Sequence, residues 1–226
     1  LSLSSSKIDK VSKKYDMRGT KASHSEFNAN QVDITLENSK KHQMIVTFLV
    51  SNNDIGFRYT LLRQGNDNPK SAVIFNEVSS FLFPEGTTTF ITPQSDPMIG
   101  FERTKPSYEE GYSNDEEMGK TSYYKHGYVF PALFRIGNHG WVLVGETGVT
   151  SGYCGSRLSD FSSQTGYTIT YPMEGENNGL GTTSAGIPVP GSTPWRTITV
   201  SNNLKHIVET TITYDLVDPV YEPSIE

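Results

Sequence analysis

Short stretches with an apolar residue at every second position recur along this chain, and no stretch sustains a helical period over three turns. Val32, Ile34 and Leu36 alternate with Asp33 and Thr35, the period of a half-buried strand. Residues 44–50 form a more continuous apolar run and suit a central strand. Ser51-Asn52-Asn53-Asp54 supplies turn chemistry, and residues 55–62 follow with Phe57, Tyr59 and Leu61 on one face and Arg58 and Thr60 on the other. The pair predicts a β-hairpin. Residues 72–78 and 80–83 read as two strands or one bent one, and 87–92 as another. A second hairpin joins 129–136 to 141–144 across Gly137-Asn138-His139-Gly140. Residues 167–171 continue the series. In 193–200, Trp195, Thr197 and Thr199 face one way and Arg196, Ile198 and Val200 the other. Asn202 or Asn203 is placed to cap one helical turn carrying Leu204, Ile207 and Val208, and Ile212, Tyr214 and Leu216 alternate as a closing strand. The expected fold is all-β, with two packed antiparallel sheets.

Two stretches break the pattern. Residues 93–121 carry Tyr108, Tyr112 and a run of acids (Glu109, Glu110, Asp115, Glu116, Glu117), and long loops inside a domain are functional or disordered. The acids suit a cation site or a solvated face; the tyrosines point to a contact surface, so this loop is expected to pack on a neighbouring domain. Residues 174–192 hold too many Gly and Pro for regular structure.

Composition narrows the function. At 226 residues the chain is long enough to bury a sizeable core, as one large β domain or two small ones. A formal charge of −6 with a pI near 5.4 argues against nucleic-acid binding. No run reaches the roughly 18 apolar residues that span a membrane. The single cysteine, Cys154, permits no internal disulfide. The chain opens LSLSSSKIDK without Met or a signal-peptide core and closes DLVDPVYEPSIE, polar and Pro-spaced like a linker. Both ends are expected to be cuts in a longer protein.

Enzyme motifs are scarce. The sequence has no P-loop, dinucleotide fingerprint, Cys/His metal spacing or G-x-S-x-G elbow, its five histidines are scattered, and its acids lie mostly in loops. A self-contained active site is not expected. One carboxylate stands out in the stretch WVLVGETGVTSGYCG, residues 141–155. After the apolar run 141–144, Glu146 sits between Gly145 and Thr147-Gly148, where the strand is expected to end. An unpaired buried carboxylate is costly, so Glu146 is expected at the rim, as a ligand or metal contact or as a plain strand-end acid.

Three stretches in order, MIVTFLVSNNDIGFRYTL (44–61), WVLVGETGVTSGYCGSRL (141–158) and STPWRTITVSNNLKHIVETTITYDLVDP (192–219), make the chain resemble the N-terminal domain of the family-97 glycoside hydrolases over 15–219. That resemblance implies a galactose-mutarotase-like β-super-sandwich over 1–218, here lacking its first strands, with 219–226 starting a linker to a catalytic (β/α)8 barrel outside the chain. It implies an α-glycosidase, acting on α-glucosides or α-galactosides, whose catalytic residues all lie on the barrel, so the isolated chain is expected to be inactive. It further implies a calcium ion with carboxylate ligands from the barrel and one glutamate from this domain. Glu146 matches that glutamate by position, although Thr147-Gly148-Val149 stands where small apolar residues are usual. Calcium takes about six to eight oxygens, so a lone glutamate needs a partner's ligands. The implied partners are the barrel, a C-terminal β domain and an oligosaccharide, and the implied location is periplasmic or secreted. Two other readings stay open: a free-standing carbohydrate-binding or structural sandwich, and a mutarotase-like enzyme, for which no histidine lies clearly inside a predicted strand.

Overall fold

The first predicted hairpin forms as β3 (Gln43–Val50) and β4 (Asp54–Leu61), with Phe48 opposite Phe57. The computed structural model describes residues 1–17, 19–64, 70–96, 110–176 and 182–218. Outward from β3 lie β2 (His24–Glu37) and the edge strand β1 (Ser2–Asp16), paired antiparallel along nearly their whole length. On the other side of β4 comes β15 (Trp195–Ser201), then the second predicted hairpin, β10 (Gly140–Thr147) and β9 (Ala132–Ile136), and then β7 (Thr87–Phe90) and β8 (Glu116–Glu117). With β14 (Gly191–Ser192) on β4, the described residues build a ten-stranded antiparallel sheet. The last long strand of the chain is thus its middle one.

Two smaller antiparallel sheets lie apart from it: β11 (Arg157–Leu158), β12 (Tyr167–Thr170) and β6 (Ser80–Phe81), and the pair β13 (Ala185–Pro188) with β5 (Ser71–Ile74). They cover one face of the large sheet. Ala132, Phe134 and Val144 from the large sheet pack there with Leu158, Tyr167, Ile169 and Ile187, and the Phe57, Leu61 and Ile198 side chains join them. Phe83 stacks on Phe134 at 4.0 Å between centroids. Each fully buried side chain of this size contributes about 1.5–3 kcal/mol. On the opposite face, Phe27, Leu49 and Trp195 meet Ile212 and Leu216. Gly56 makes that contact possible, because a Cβ there would lie 2.5 Å from the Leu216 side chain.

The β-sandwich and both hairpins agree with the sequence reading, as does α1 (Leu204–Glu209), capped by the Asn203 side chain. Four elements differ. The second layer is split between two small sheets. Strand β1 was invisible to an apolar period because most of its side chains face solvent on both sides. The predicted closing strand is instead the helical turn α2 (Ile212–Asp215), since Ile212 and Leu216, four apart, also match a helix face. The Gly/Pro-rich stretch 174–192 contains β13 and β14, and 93–121 contains β8. The rest of the predicted contact loop, 97–109, and the predicted linker from 219 lie outside the described residues. No helix among the described residues is long and apolar enough to cross a membrane.

Candidate functional site

Strand β10 runs three residues beyond the predicted end at 144, and this relocates Glu146. Val142, Val144 and Glu146 share one side of β10 by the two-residue period, and that side faces the main core. Directly across the ladder stands Arg196, on the same face as Ile198. Glu146 is therefore not a free carboxylate at the rim: its side chain is 8% exposed and paired with an arginine that is 0% exposed. The expectation of an outward, unpartnered side chain is corrected. Burial is tolerable because the partner removes the cost of an isolated charge.

A second acid completes the cluster. Arg196 donates Nε to Glu77 Oε1 at 3.0 Å and Nη2 to Glu77 Oε2 at 2.6 Å, a two-pronged grip, while Nη1 donates to Glu146 Oε2. Glu77 is steadied by the Ser79 hydroxyl, which donates to Oε1 at 2.9 Å and lies 2.9 Å from the Tyr59 hydroxyl. Glu146 is steadied by Ser156, whose backbone N–H donates to Oε1 at 3.0 Å and whose hydroxyl donates to Oε2 at 2.7 Å. Burial opposes the Arg196 charge, but hydrogen bonding and charge from Glu77, with the Glu146 charge added, hold its pKa above the ordinary arginine value. Sequence reasoning missed the role of Glu77: it lay inside the strand predicted over 72–78, β5 ends at Ile74, and nothing local marks it as a partner of Arg196.

Counting charges and lone pairs shows what this cluster can hold. Two carboxylates against one guanidinium leave one formal negative charge. A carboxylate offers about four acceptor positions, and three donors occupy Glu146, two of them on Oε2. Oε1 accepts only the Ser156 N–H among these donors and keeps one position. The donor set thus fits a cation as one oxygen ligand from Glu146. Among the described residues no group of three or more His, Cys, Asp or Glu could hold a metal ion, so a calcium ion here needs most of its ligands from elsewhere.

A groove of about 490 Å³ is lined by Phe75, Asn76, Lys125, His126, Arg157 and Tyr171 among others. Two segments serve both places: Glu77 follows Phe75-Asn76, and Arg157 follows Ser156. Arg157 is itself fixed, donating Nε to the His126 carbonyl at 3.1 Å and Nη1 to Glu176 at 2.7 Å. Phe75 is 81% exposed, and Val78 and Leu82 nearby in sequence are exposed as well. The other candidate groups go elsewhere. Asp115 pairs with Arg135 at 2.7 Å and Glu116 with Lys120 at 3.1 Å, so these acids of the 93–121 stretch are spent on local cations. His24 pairs with Asp16 on the exposed edge hairpin. Burial, then the Glu146 charge, push the Cys154 thiol up, away from thiolate chemistry.

Comparison with known proteins follows the same outline. The Glycosyl-hydrolase 97 N-terminal family matches residues 1–219, so the match includes β1. A crystal structure of a beta-arabinopyranosidase superposes with a TM-score of 0.93 at 52% identity, over 98% of this chain and 35% of its own. Complexes of a family-97 glycoside hydrolase from Pseudoalteromonas sp. strain K8 with panose and with acarbose superpose with a TM-score of 0.72 at 15% identity, over 96% of this chain and 30% of theirs. That second likeness is one of fold. No curated protein matches the chain. The fold and the family match define a β-sandwich module of the glycoside hydrolases. The chain belongs to the family of N-terminal domains of family-97 glycoside hydrolases. It spans about a third of the length of the beta-arabinopyranosidase.

Proposed function

We propose that this chain is the non-catalytic N-terminal domain of a glycoside hydrolase that cleaves α-galactosides and β-arabinopyranosides, and that Glu146 gives one oxygen to a calcium ion completed by a catalytic (β/α)8 domain. The observation that carries the substrate class is the 52% identity, over 98% of the chain, with a beta-arabinopyranosidase. A β-L-arabinopyranoside has the ring stereochemistry of an α-D-galactoside without its hydroxymethyl group, so one pocket shape accepts both. α-Glucosides, which differ from α-galactosides at a single hydroxyl, are the competing class.

The uncommitted position on Oε1 and the residual negative charge of the cluster support the calcium role of Glu146. Calcium bound beside a sugar leaving group acts as a Lewis acid and a template. The task of this domain is to hold one carboxylate oxygen still, through Ser156 and Arg196, where a partner brings the remaining ligands. The partners are the catalytic barrel and a C-terminal domain, with an oligosaccharide as substrate. The exposed Phe75 of the groove, with the exposed Val78 and Leu82 close to it in sequence, suits the face that meets the barrel. The complete protein is placed in the periplasm or outside the cell, which cell fractionation checks.

In the complete protein, aryl α-galactoside and aryl β-L-arabinopyranoside are expected to be hydrolysed faster than aryl α-glucoside; the reverse order overturns the substrate class. Glu146→Gln is expected to weaken calcium binding and lower turnover together. Parent-level values of both would remove Glu146 from the calcium site. Glycosidase activity in the isolated 226-residue chain would contradict a non-catalytic role.

A further inference from the structure

Glu77 takes two of the three Arg196 donors in this cluster, and so decides what Arg196 can offer Glu146. An arginine beside a single carboxylate closes on it as a fork, one N–H to each oxygen. Here Nε and Nη2 are taken by Glu77, so Arg196 has only Nη1 for Glu146 and reaches only Oε2. Oε1 accepts the Ser156 N–H and keeps an acceptor position that Arg196 does not fill. The charge count points the same way. Glu146 with Arg196 alone is formally neutral and attracts a cation weakly; Glu77 restores one negative charge. Glu77 is itself buried and pinned by Ser79, with Tyr59 behind it on β4, so the arrangement is fixed from the middle of the sheet.

We infer that Glu77 is a positioning residue that holds Arg196 off one oxygen of Glu146 and sets the calcium affinity of that oxygen without touching the ion. This rests on the calcium reading of Glu146 given above. Partners behind a metal's direct ligands typically change its affinity by about 10–100-fold when replaced, and Glu77 is expected to fall in that range.

The test uses the complete protein, with calcium affinity read by calorimetry and by terbium luminescence, and the melting temperature read after calcium removal. Glu77→Gln keeps the shape but not the charge, and is expected to weaken calcium binding by about 10–100-fold. Glu77→Asp, which keeps the charge, is expected to recover most of that loss. The double variant Glu77→Gln/Arg196→Met returns the cluster to one negative charge, and is expected to bind calcium more tightly than Glu77→Gln alone. Ser79→Ala, a milder change that loosens Glu77, is expected to weaken binding in the same direction and serves if Glu77→Gln fails to fold. A purely structural role would lower the melting temperature of the calcium-free protein and leave calcium affinity at the parent value in Glu77→Gln and Ser79→Ala; that result overturns the inference. Glu146→Gln separates the two claims. Parent affinity in Glu146→Gln overturns both, whereas loss there with parent affinity in the Glu77 and Ser79 variants overturns only the role of Glu77.

Discussion

Arg196 is the residue whose loss would be felt most sharply in the unliganded protein. It stands between two carboxylates with no exposure of its own, and its removal leaves both buried without their cation. Arg196→Met alone is expected to cost about 3–5 kcal/mol of stability, measured as a shift in the urea midpoint. Cys154 gives a gentler prediction. Its thiol is pushed up by burial and by the Glu146 charge, so alkylation at pH 8, followed by mass spectrometry, should be slower in the folded protein than in the unfolded one. At this scale the sequence singled out Glu146 and misjudged its direction. The Gly145 beside Glu146 looked like a strand end, yet β10 continues to Thr147, and the two-residue period then turns Glu146 inward. Arg196 was already placed on one face with Ile198, but nothing local reveals that this face is the core side or that Glu77, more than a hundred residues away, waits there.

Elements with a strong local signal were legible: the two hairpins, whose turns and alternation agree, and α1, whose cap is an asparagine. Those that depend on distant partners were not. Strand β1 has a sequence rich in Ser and Lys and is fixed as a strand by the ladder it makes with β2. The turn α2 is decided by where it lands, with Ile212 and Leu216 pressed on Trp195 and Phe27. A half-buried tie joins these two elements: Tyr15 on β1 donates to Asp215 Oδ1 at 2.5 Å, and Thr211 donates to Asp215 Oδ2 at 3.0 Å. Burial, then the bond to Asp215, push the Tyr15 phenol up to about 12. Because the folded phenol keeps its proton to higher pH than the unfolded one, its contribution to stability is complete below about pH 10 and is lost as pH rises towards about 12. Tyr128, pushed by burial to about 12 as well, shares that window. A Tyr15→Phe variant should therefore lose stability less steeply than the parent between these pH values, as followed by thermal melting.

At the scale of the molecule, Phe75 in the groove is exposed, as are Val78 and Leu82 close to it in sequence. In the complete protein, Phe75→Asp with Val78→Asp should uncouple this domain from the rest, seen by calorimetry as a split into separate unfolding transitions. The position of β15 has a different consequence, one for synthesis. Strand β4 is finished at Leu61, but the neighbours that seal its far side, β14 and β15, begin only at Gly191. At ordinary ribosomal speed that interval is on the order of ten seconds. Throughout it the first hairpins wait with an open ladder, a period in which a nascent chain is most exposed to its neighbours on the same message. The arrival of β15 ends that wait in one step, joining the early and late halves of the chain.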